Sequence, residues 1–539
     1  MSARRLAGTV AGAATMIAAL TVLSRVIGFG RWLAQNYAVG DTAIGDAYAT
    51  ANTLPNVLYE VAAGGALAGA VIPLLSAPLA AHLRRDVDRI SSALLTWAML
   101  VLVPLALVLA LLAEPIIRLL PSSPGLTDAQ VAAQVGAGTY FLVVFAPQVV
   151  LYGIGVVLTG VLQAQNKFFW PALAPVLSSV VVITSYLVFA ATAQGQQEDP
   201  ALLPAEAMRW LAWGTTAGVA AMSLPLFIPV LRSGVRLRLT LGFPPGVGRR
   251  ARQLAAAGLG ALLAQQVAVL VVLALAKGAG PLGTYNVFQY SQAVYFLPYA
   301  VLAVPLATAV FPRLSTRAST GDREGYARMA AWSTSAVVAV ATLGAAALVA
   351  AAPAVQVVFA DLGRGGATGM TQALSWMAPG LVGLALVFHV SRALYALDRG
   401  RAAVTATAVG WLVVVLASLL AVRLLVPAGG DGPATLTALG IGNTVGMTVA
   451  GAGLLWALRR ACGRLPGIVR TVGVASAGAA LGAVVGRWSV QTVLDLAGAG
   501  LASAILAGLL GVAVAAAAVG GAVVVGDRSV LSRGRGAGG

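Results

Sequence analysis

The sequence predicts an all-α integral membrane protein, and three observations carry that prediction. Hydrophobic residues make up 59% of the chain and charged residues 9%, with a mean hydropathy of +0.90, far from the balance of a soluble domain. Apolar runs of roughly 20 residues or more recur along the chain, long enough to cross a hydrocarbon core of about 30 Å as helices, whereas barrel strands would alternate over about ten residues. The runs are also almost free of mid-membrane charge.

Taken in order, the runs place spans near residues 8–38, 44–77, 91–120, 132–163, 171–193, 207–231, 251–276, 284–312, 327–352, 370–396, 402–427, 434–458, 468–490 and 497–526, fourteen in all. An even count puts both termini on one side. Charge decides which side, because short cytoplasmic loops are enriched in Lys and Arg. With the N-terminus inside, the inner segments hold 26 of the 34 basic residues, including Arg84, Arg85 and Arg89, the cluster Arg232, Arg236, Arg238, Arg249, Arg250 and Arg252, and the pair Arg459 and Arg460. The outer connections hold Arg118, Arg209, Lys277, Arg364, Arg423 and Arg487, which leaves only Arg25 and Arg31 for the spans themselves. The expected location is the plasma membrane, multi-pass, with both termini cytoplasmic.

The net charge of +17 does not indicate nucleic acid, because the basic residues sit in short loops beside spans rather than on one aromatic-studded face. Topology and anionic membrane lipids account for them better. The first run, although preceded by Arg4 and Arg5, is too long for a signal peptide and carries Arg25 and Arg31 where such a segment is purely apolar, so it is expected to remain as the first helix. Cys462 is the sole cysteine, which excludes an intramolecular disulfide and a thiolate metal cluster.

An internal repeat organises the spans. Residues 66–76 read ALAGAVIPLLS and residues 305–315 read PLATAVFPRLS, while residues 162–167 read LQAQNK and residues 394–399 read LYALDR. The pairs run in the same order and close the second, fourth, eighth and tenth spans. This predicts two parallel six-helix lobes, residues 1–232 and 251–460, joined by a basic cytoplasmic linker at 233–250 that reads as flexible. Two further helices at 461–526 and a short cytoplasmic tail at 527–539 follow.

Arg25 and Arg31 are the leading functional candidates, since an ionisable group inside a span is costly unless it faces water or a partner. Asp46 and Glu60, fourteen residues apart in the second run, fall on nearly the same face of an ideal helix and are gate or ion-coupling candidates. The bland alternative pairs each arginine with one of these acids, or lets it snorkel to an interface. Arg25 and Arg31 lie about 120° apart around a straight helix, so Gly28 and Gly30 between them would have to permit a bend or the close approach of a neighbour. His389 reads as a packed histidine and His82 as a solvated one. Asn166 and Lys167, after a span end, read as an ordinary anchor. Gly65-xxx-Gly69 and Gly442-xxx-Gly446 read as helix packing. No P-loop, Gly-x-Ser-x-Gly elbow or His-Glu-x-x-His motif is present, so the chain is not expected to be an enzyme.

A set of ordered motifs then carries a family resemblance. Residues 24–31 read SRVIGFGR, followed by Gly45-Asp46-Ala47-Tyr48, Leu54-Pro55-Asn56 and Ile72-Pro73-Leu74-Leu75-Ser76; later come LQAQNKFFWPALAP at 162–175, LPYAVLAVPLATAVFPRLS at 297–315 and APGLVGLA at 378–385. Together these resemble the MurJ/MviN family of flippases for lipid II, the lipid-linked peptidoglycan precursor, in the multidrug/oligosaccharidyl-lipid/polysaccharide exporter superfamily. The resemblance implies two six-helix lobes around a central cavity and two last helices forming a groove for a polyprenyl tail. It implies alternating access, with Arg25 and Arg31 on the diphosphate and Asp46 as gate or counter-ion; Asn56, Tyr59, Gln289 and Gln292 are this chain's own candidates for polar cavity groups. It also implies lipid II as cargo, cell-wall synthesis proteins as potential partners and no cofactor; membrane potential, a proton gradient or a sodium gradient stay open as driving forces.

The chain departs from the Gram-negative pattern, which adds arginines after LPN in the second span and before LP in the eighth. Here those stretches read Val57-Leu58-Tyr59-Glu60 and Gln292-Ala293-Val294-Tyr295, a departure that suits a Gram-positive, actinobacterial-type member. Polar contact in the second lobe then falls to Gln289, Gln292, Tyr285, Tyr290 and Tyr295. Two rivals remain at this point: a flippase or antiporter of the same superfamily with another cargo, and a membrane scaffold of the wall-synthesis machinery without transport.

Overall fold

A computed structural model of the protein describes the backbone of residues 3–61, 68–251, 259–463 and 465–527 and the side chains of residues 20, 22–61, 71–251, 259–463 and 465–527. Among the described residues every regular element is helical. The side chains of Arg4 and Arg5, the Gly65-xxx-Gly69 pair, Arg252, Arg464 and the tail from Arg528 lie outside them. The chain separates into two compact units, Met1–Leu120 with Leu126–Gln266, and Pro121–Gly125 with Val267–Gly539.

The first unit contains α1 (Ala3–Ala38), α2 (Ala43–Tyr59), α3 (Ala68–Ala80), α4 (Arg84–Leu111), α5 (Ala113–Leu119), α6 (Asp128–Ala164), α7 (Phe169–Thr192), α8 (Ala205–Ser223) and α9 (Phe227–Arg232). The α1–α2 corner is closed from both sides. The amides of Val39 and Gly40 donate to the Gln35 carbonyl, and the Thr42 hydroxyl donates to Val39 O at 2.8 Å while accepting from Gly45 N at 3.1 Å. A capping box of Thr127 and Gln130 starts α6, which then packs against α2, α3, α4, α5 and α8 as the spine of the unit. Its Phe141 and Phe145 present their edges and faces to Tyr48 of α2, with ring centroids 5.7 and 5.6 Å away.

The second unit begins inside α10 (Leu259–Ala279) and continues with α11 (Thr284–Pro298), a π-helical stretch Tyr299–Ala303, α12 (Val304–Ser319), α13 (Arg323–Leu362), α14 (Met370–Met377), α15 (Gly380–Ala396), α16 (Gly400–Leu425), α17 (Gly432–Cys462), α18 (Ile468–Ala497) and α19 (Leu501–Gly526). Lipid tails are as apolar as the helices, so close packing depends on small residues that let backbones approach. Gly442 and Gly446 serve this purpose, since an added Cβ would run into Ser418 and Val414 of α16. Gly486 does the same on α18, where a Cβ would lie 2.8 Å from Ala350 Cβ of α13. Because α18 and α19 both lie along α13, that helix is more deeply buried than the other spans.

Eleven described helices are long and apolar enough to cross a membrane, or twelve when α14 and α15, bent by 49°, count as one span. The expected count of fourteen is not confirmed among the described residues. Within the expected second span the described residues form α2, of 17 residues, with π geometry at Glu60 and Val61, and α3, of 13; residues 62–67 between them lie outside the described residues. Pro55, Pro73 and Pro78 remove backbone donors there and disfavour one long regular helix. The repeat leaves a mark at this point, because the π stretch from Tyr299 occupies the same place in the second copy of the pattern. Arg487, expected in an outer connection, lies inside α18, where its guanidinium donates to Ser375 Oγ at 2.8 Å.

The basic linker is not a loose tether. Residues 236–242 run along α4, where Asp88 Oδ1 accepts from Arg236 N (2.9 Å), Ser92 Oγ from Arg238 N (3.0 Å) and Thr96 Oγ1 from Thr240 N (3.2 Å). Two residues of extended chain advance about 6.6 Å and one four-residue step of helix about 6.0 Å, so every second strap amide meets the next turn of α4. Arg89 Nε and the Trp97 indole donate to the carbonyls of Gly242 (2.9 Å) and Leu241 (3.1 Å) and finish the attachment.

Candidate functional site

In the first unit, α1 carries both candidate arginines. Arg25 is exposed and Arg31 half-buried. The helix is continuous through Gly28 and Gly30, and among the described residues a Cβ at either would meet nothing within 4 Å, so no neighbouring helix among them makes a close approach there. Both glycines border open space instead.

Arg31 is the arginine around which other polar groups collect. Its charge reaches the hydroxyls of Tyr48 on α2 and Tyr152 on α6, and Glu60 and Tyr59 lie within electrostatic range of the same Tyr152 hydroxyl. Tyr59 and Tyr152 pack ring on ring, centroids 4.5 Å apart and tilted by 32°. Of the candidates, Tyr59 and Glu60 adjoin each other at the end of α2, and Arg31 approaches the same Tyr152 from α1. Asn56 is turned to its own helix, donating to the Asn52 carbonyl at 2.8 Å.

The two acids do not share an environment. Asp46 is buried in the first turn of α2, where a carboxylate complements the positive end of the helix, while Glu60 is half-buried at the π turn that ends the regular helix. The equivalence suggested by their fourteen-residue spacing is lost because α2 does not continue regularly through Glu60.

Beneath this group lies a buried polar network that sequence reasoning missed. The Tyr48 hydroxyl shares hydrogen bonds with Tyr186 (2.8 Å) and Thr215 (3.0 Å), Tyr186 donates to Gln35 Oε1 (3.3 Å), and Gln148 donates to Thr216 Oγ1 (3.0 Å). These residues come from α1, α2, α6, α7 and α8, so the network ties the helices of this unit through their polar atoms. An available signal was Gln148, a polar residue within the apolar stretch 141–151 of α6.

In the second unit, Gln289 and Gln292 are half-buried on α11. Tyr290 and Tyr295, expected to offer polar contacts, are buried; Tyr290 packs on Phe359 at 5.7 Å and Tyr295 on Phe296 at 5.5 Å. His389 is packed as expected, its Nε2 3.0 Å from Ser333 Oγ. No group of three or more His, Cys, Asp or Glu that could hold a metal occurs among the described residues.

Chemically, the Arg31 cluster offers a guanidinium with five donors, which stays charged when partly dehydrated, beside phenolic hydroxyls that give or accept hydrogen bonds. That set suits phosphate and sugar oxygens.

A sequence model described as "MurJ: Lipid II flippase MurJ" matches residues 35–510, a stretch that starts after Arg25 and Arg31. The chain is 25% identical over 305 residues to the "Probable lipid II flippase MurJ" of Rhizobium meliloti, covering 55% of this chain and 53% of that one. It is 26% identical over 394 residues to the "Lipid II flippase MurJ" of Burkholderia cenocepacia, covering 70% and 72%. The chain spans about half the length of the first of these curated relatives. In three dimensions it resembles a solved structure described as "Lipid II flippase MurJ, inward closed conformation", with a TM-score of 0.70 and 17% identity over 93% of this chain and 98% of that one.

Proposed function

The chain belongs to the MurJ lipid II flippase family, and on that premise we propose that it moves lipid II from the inner to the outer leaflet by alternating access, for cell-wall synthesis. The observation that carries the reading is the family match over residues 35–510. The protein is a multi-pass membrane protein of a transporter family, and the proposed topology keeps both termini cytoplasmic. Its cargo in this reading presents a diphosphate, an amino-sugar disaccharide and a peptide.

Arg31 is the proposed diphosphate contact, with Tyr152 near it, Tyr59 packed on Tyr152 and Arg25, exposed on the same helix, as a second cation. Gln289 and Gln292 are proposed contacts for sugar or peptide. Glu60 and Asp46 are proposed gate or ion-coupling groups, with no cofactor and with membrane potential, protons or sodium ions as drive. The groove for the polyprenyl tail is assigned to α18 and α19, which expose Leu481, Val484, Leu506 and Leu509. Anionic lipids are proposed partners of the basic connections, and cell-wall synthesis proteins of the assembly as a whole.

A second reading keeps the fold and changes the cargo to another polyprenyl-diphosphate oligosaccharide. It is favoured by the lack of arginine at Val57–Glu60 and at Gln292–Tyr295. Depleting the protein and scoring lipid II accessible on the outer leaflet separates the two. Loss of exposure, restored by the wild-type protein, supports lipid II, and unchanged exposure in a strain without a redundant flippase assigns the cargo elsewhere.

A further inference from the structure

The strap on α4 forms a groove of about 520 Å³ lined by Arg85, Asp88, Arg89, Ser92, Arg236, Arg238, Leu239 and Thr240. Four guanidiniums meet in it from two separate segments. The single acid, Asp88, already accepts from the Arg236 backbone amide. Among the described residues none of the four guanidiniums is ion-paired. Arg89 donates to the Gly242 carbonyl, so one of the cations is held in place rather than left on a free side chain.

Charge bias alone, as a topology signal, asks only that basic residues be near the membrane on one side. It does not ask that an extended strap be stitched to α4 turn by turn so that Arg236 and Arg238 face Arg85 and Arg89. Four like charges around one groove repel unless an anion lies among them. Guanidiniums are suited to phosphate oxygens, which they bind through several donors.

The surroundings decide between a lipid phosphate and a soluble one. Leu239 at 90% exposure lines the groove itself, and Leu241 at 54% follows it on the strap. Trp97, whose indole is anchored to the strap, sits about 12 Å along the helix from Arg89, at about 1.5 Å per residue. Beyond it α4 exposes Leu100, Val101, Leu107 and Val108, the face that a bilayer would cover. Cations, an interfacial tryptophan and lipid-facing aliphatic side chains thus follow one another along a single helix, in the order of a headgroup, an interface and acyl chains.

We infer that the groove between α4 and the 236–242 strap is a binding site for the phosphate headgroup of an anionic lipid of the inner leaflet. The assignment deepens the reading of the basic connections as the anionic-lipid side of the protein and rests on that reading for its orientation. It does not depend on the identity of the transported cargo.

The test is lipid titration of the purified full-length protein, followed by native mass spectrometry, with phosphatidylglycerol against phosphatidylcholine and with inorganic phosphate and pyrophosphate as soluble competitors. The variant is Arg85→Gln/Arg238→Gln, because neither of these side chains makes one of the hydrogen bonds that hold the strap. Arg85→Lys/Arg238→Lys restores the charge, and Arg459→Gln/Arg460→Gln removes the same net charge at another connection. The site predicts about thirtyfold weaker phosphatidylglycerol binding in the groove variant, on the scale of two interfacial cations, with the lysine form largely restored and the control unchanged. Equal losses in groove and control variants would leave only a diffuse charge effect and overturn the site. Equal binding of both lipids by the wild type would overturn the anionic-lipid reading with it, and competition by millimolar phosphate or pyrophosphate would make the groove a soluble-anion site.

Discussion

Asn166 and Asp398, 232 positions apart in the chain, hold the same left-handed backbone conformation, with φ of 59° and 57°. Each follows the end of a long helix, and the residue after each sends its amide back to the same place: Lys167 N to Leu162 O at 2.8 Å and Arg399 N to Leu394 O at 2.9 Å. These are the residues of the LQAQNK and LYALDR repeats, so the sequence repeat encodes a helix stop. His82 and Gly321 form a second such pair, with φ of 56° and 74° and return bonds from Leu83 N to Pro78 O and Asp322 N to Arg317 O.

The helix stops set the first prediction. Asn and Asp tolerate this conformation, whereas a β-branched residue pays about 1–2 kcal/mol. Asn166→Val or Asp398→Val is expected to lower the melting temperature of the purified protein, and Asn166→Gly, Asp398→Gly or His82→Gly to leave it unchanged or raise it. Equal melting of the valine and glycine forms would show that the stops are not under conformational strain.

A contrast between glycines gives the second. Gly442→Ala and Gly446→Ala force a Cβ into Ser418 and Val414 and are expected to cost about 1–3 kcal/mol through overpacking. Gly28→Ala and Gly30→Ala meet open space and are expected to leave thermal stability unchanged. A transport defect in the latter pair without a stability defect would place the cargo or a moving helix against that face of α1.

The buried network supplies the third. Tyr48→Phe keeps the edge-to-face ring contacts with Phe141 and Phe145 but removes the hydroxyl shared with Tyr186 and Thr215. A loss of about 1 kcal/mol is expected, against about 3–5 kcal/mol for an aromatic-to-alanine change at a core position such as Tyr48→Ala. Thermal unfolding in detergent distinguishes them, and equal effects would mean that the ring contributes nothing beyond its hydrogen bonds.

The strap supplies the fourth. Asp88→Ala with Ser92→Ala and Thr96→Ala removes the acceptors of three strap amides. Hydrogen exchange at Arg236, Arg238 and Thr240 is expected to accelerate about tenfold or more, since each bond contributes about 1 kcal/mol. Unchanged exchange would mean the strap is held elsewhere.

What could be read from the residues follows from how local each signal is. Membrane helices are legible because their hydropathy is a property of consecutive residues, and the helix stops at Asn166 and Asp398 because a short motif encodes them. Gly442 and Gly446 were legible as packing residues for the same reason. The Tyr48–Tyr186–Thr215 network was not, because its members stand 138 and 167 positions apart and only the fold joins them. The strap was misread because Pro244-Pro245-Gly246 and a run of arginines carry the composition of a tether, while its register depends on amides meeting the turns of α4. Within the site, Arg31 was legible as an intramembrane charge, but Tyr152, its neighbour from another helix, was not.

The central proposal is that this chain exposes lipid II on the outer leaflet through Arg31. The direct measurement is outer-leaflet lipid II after depletion of the protein, with rescue by wild type, Arg31→Ala or Arg31→Lys at matched membrane levels. The account predicts that wild type restores exposure, Arg31→Lys restores part of it and Arg31→Ala restores little. Full rescue by Arg31→Ala would contradict the site, and unchanged exposure after depletion without a redundant flippase would contradict the function.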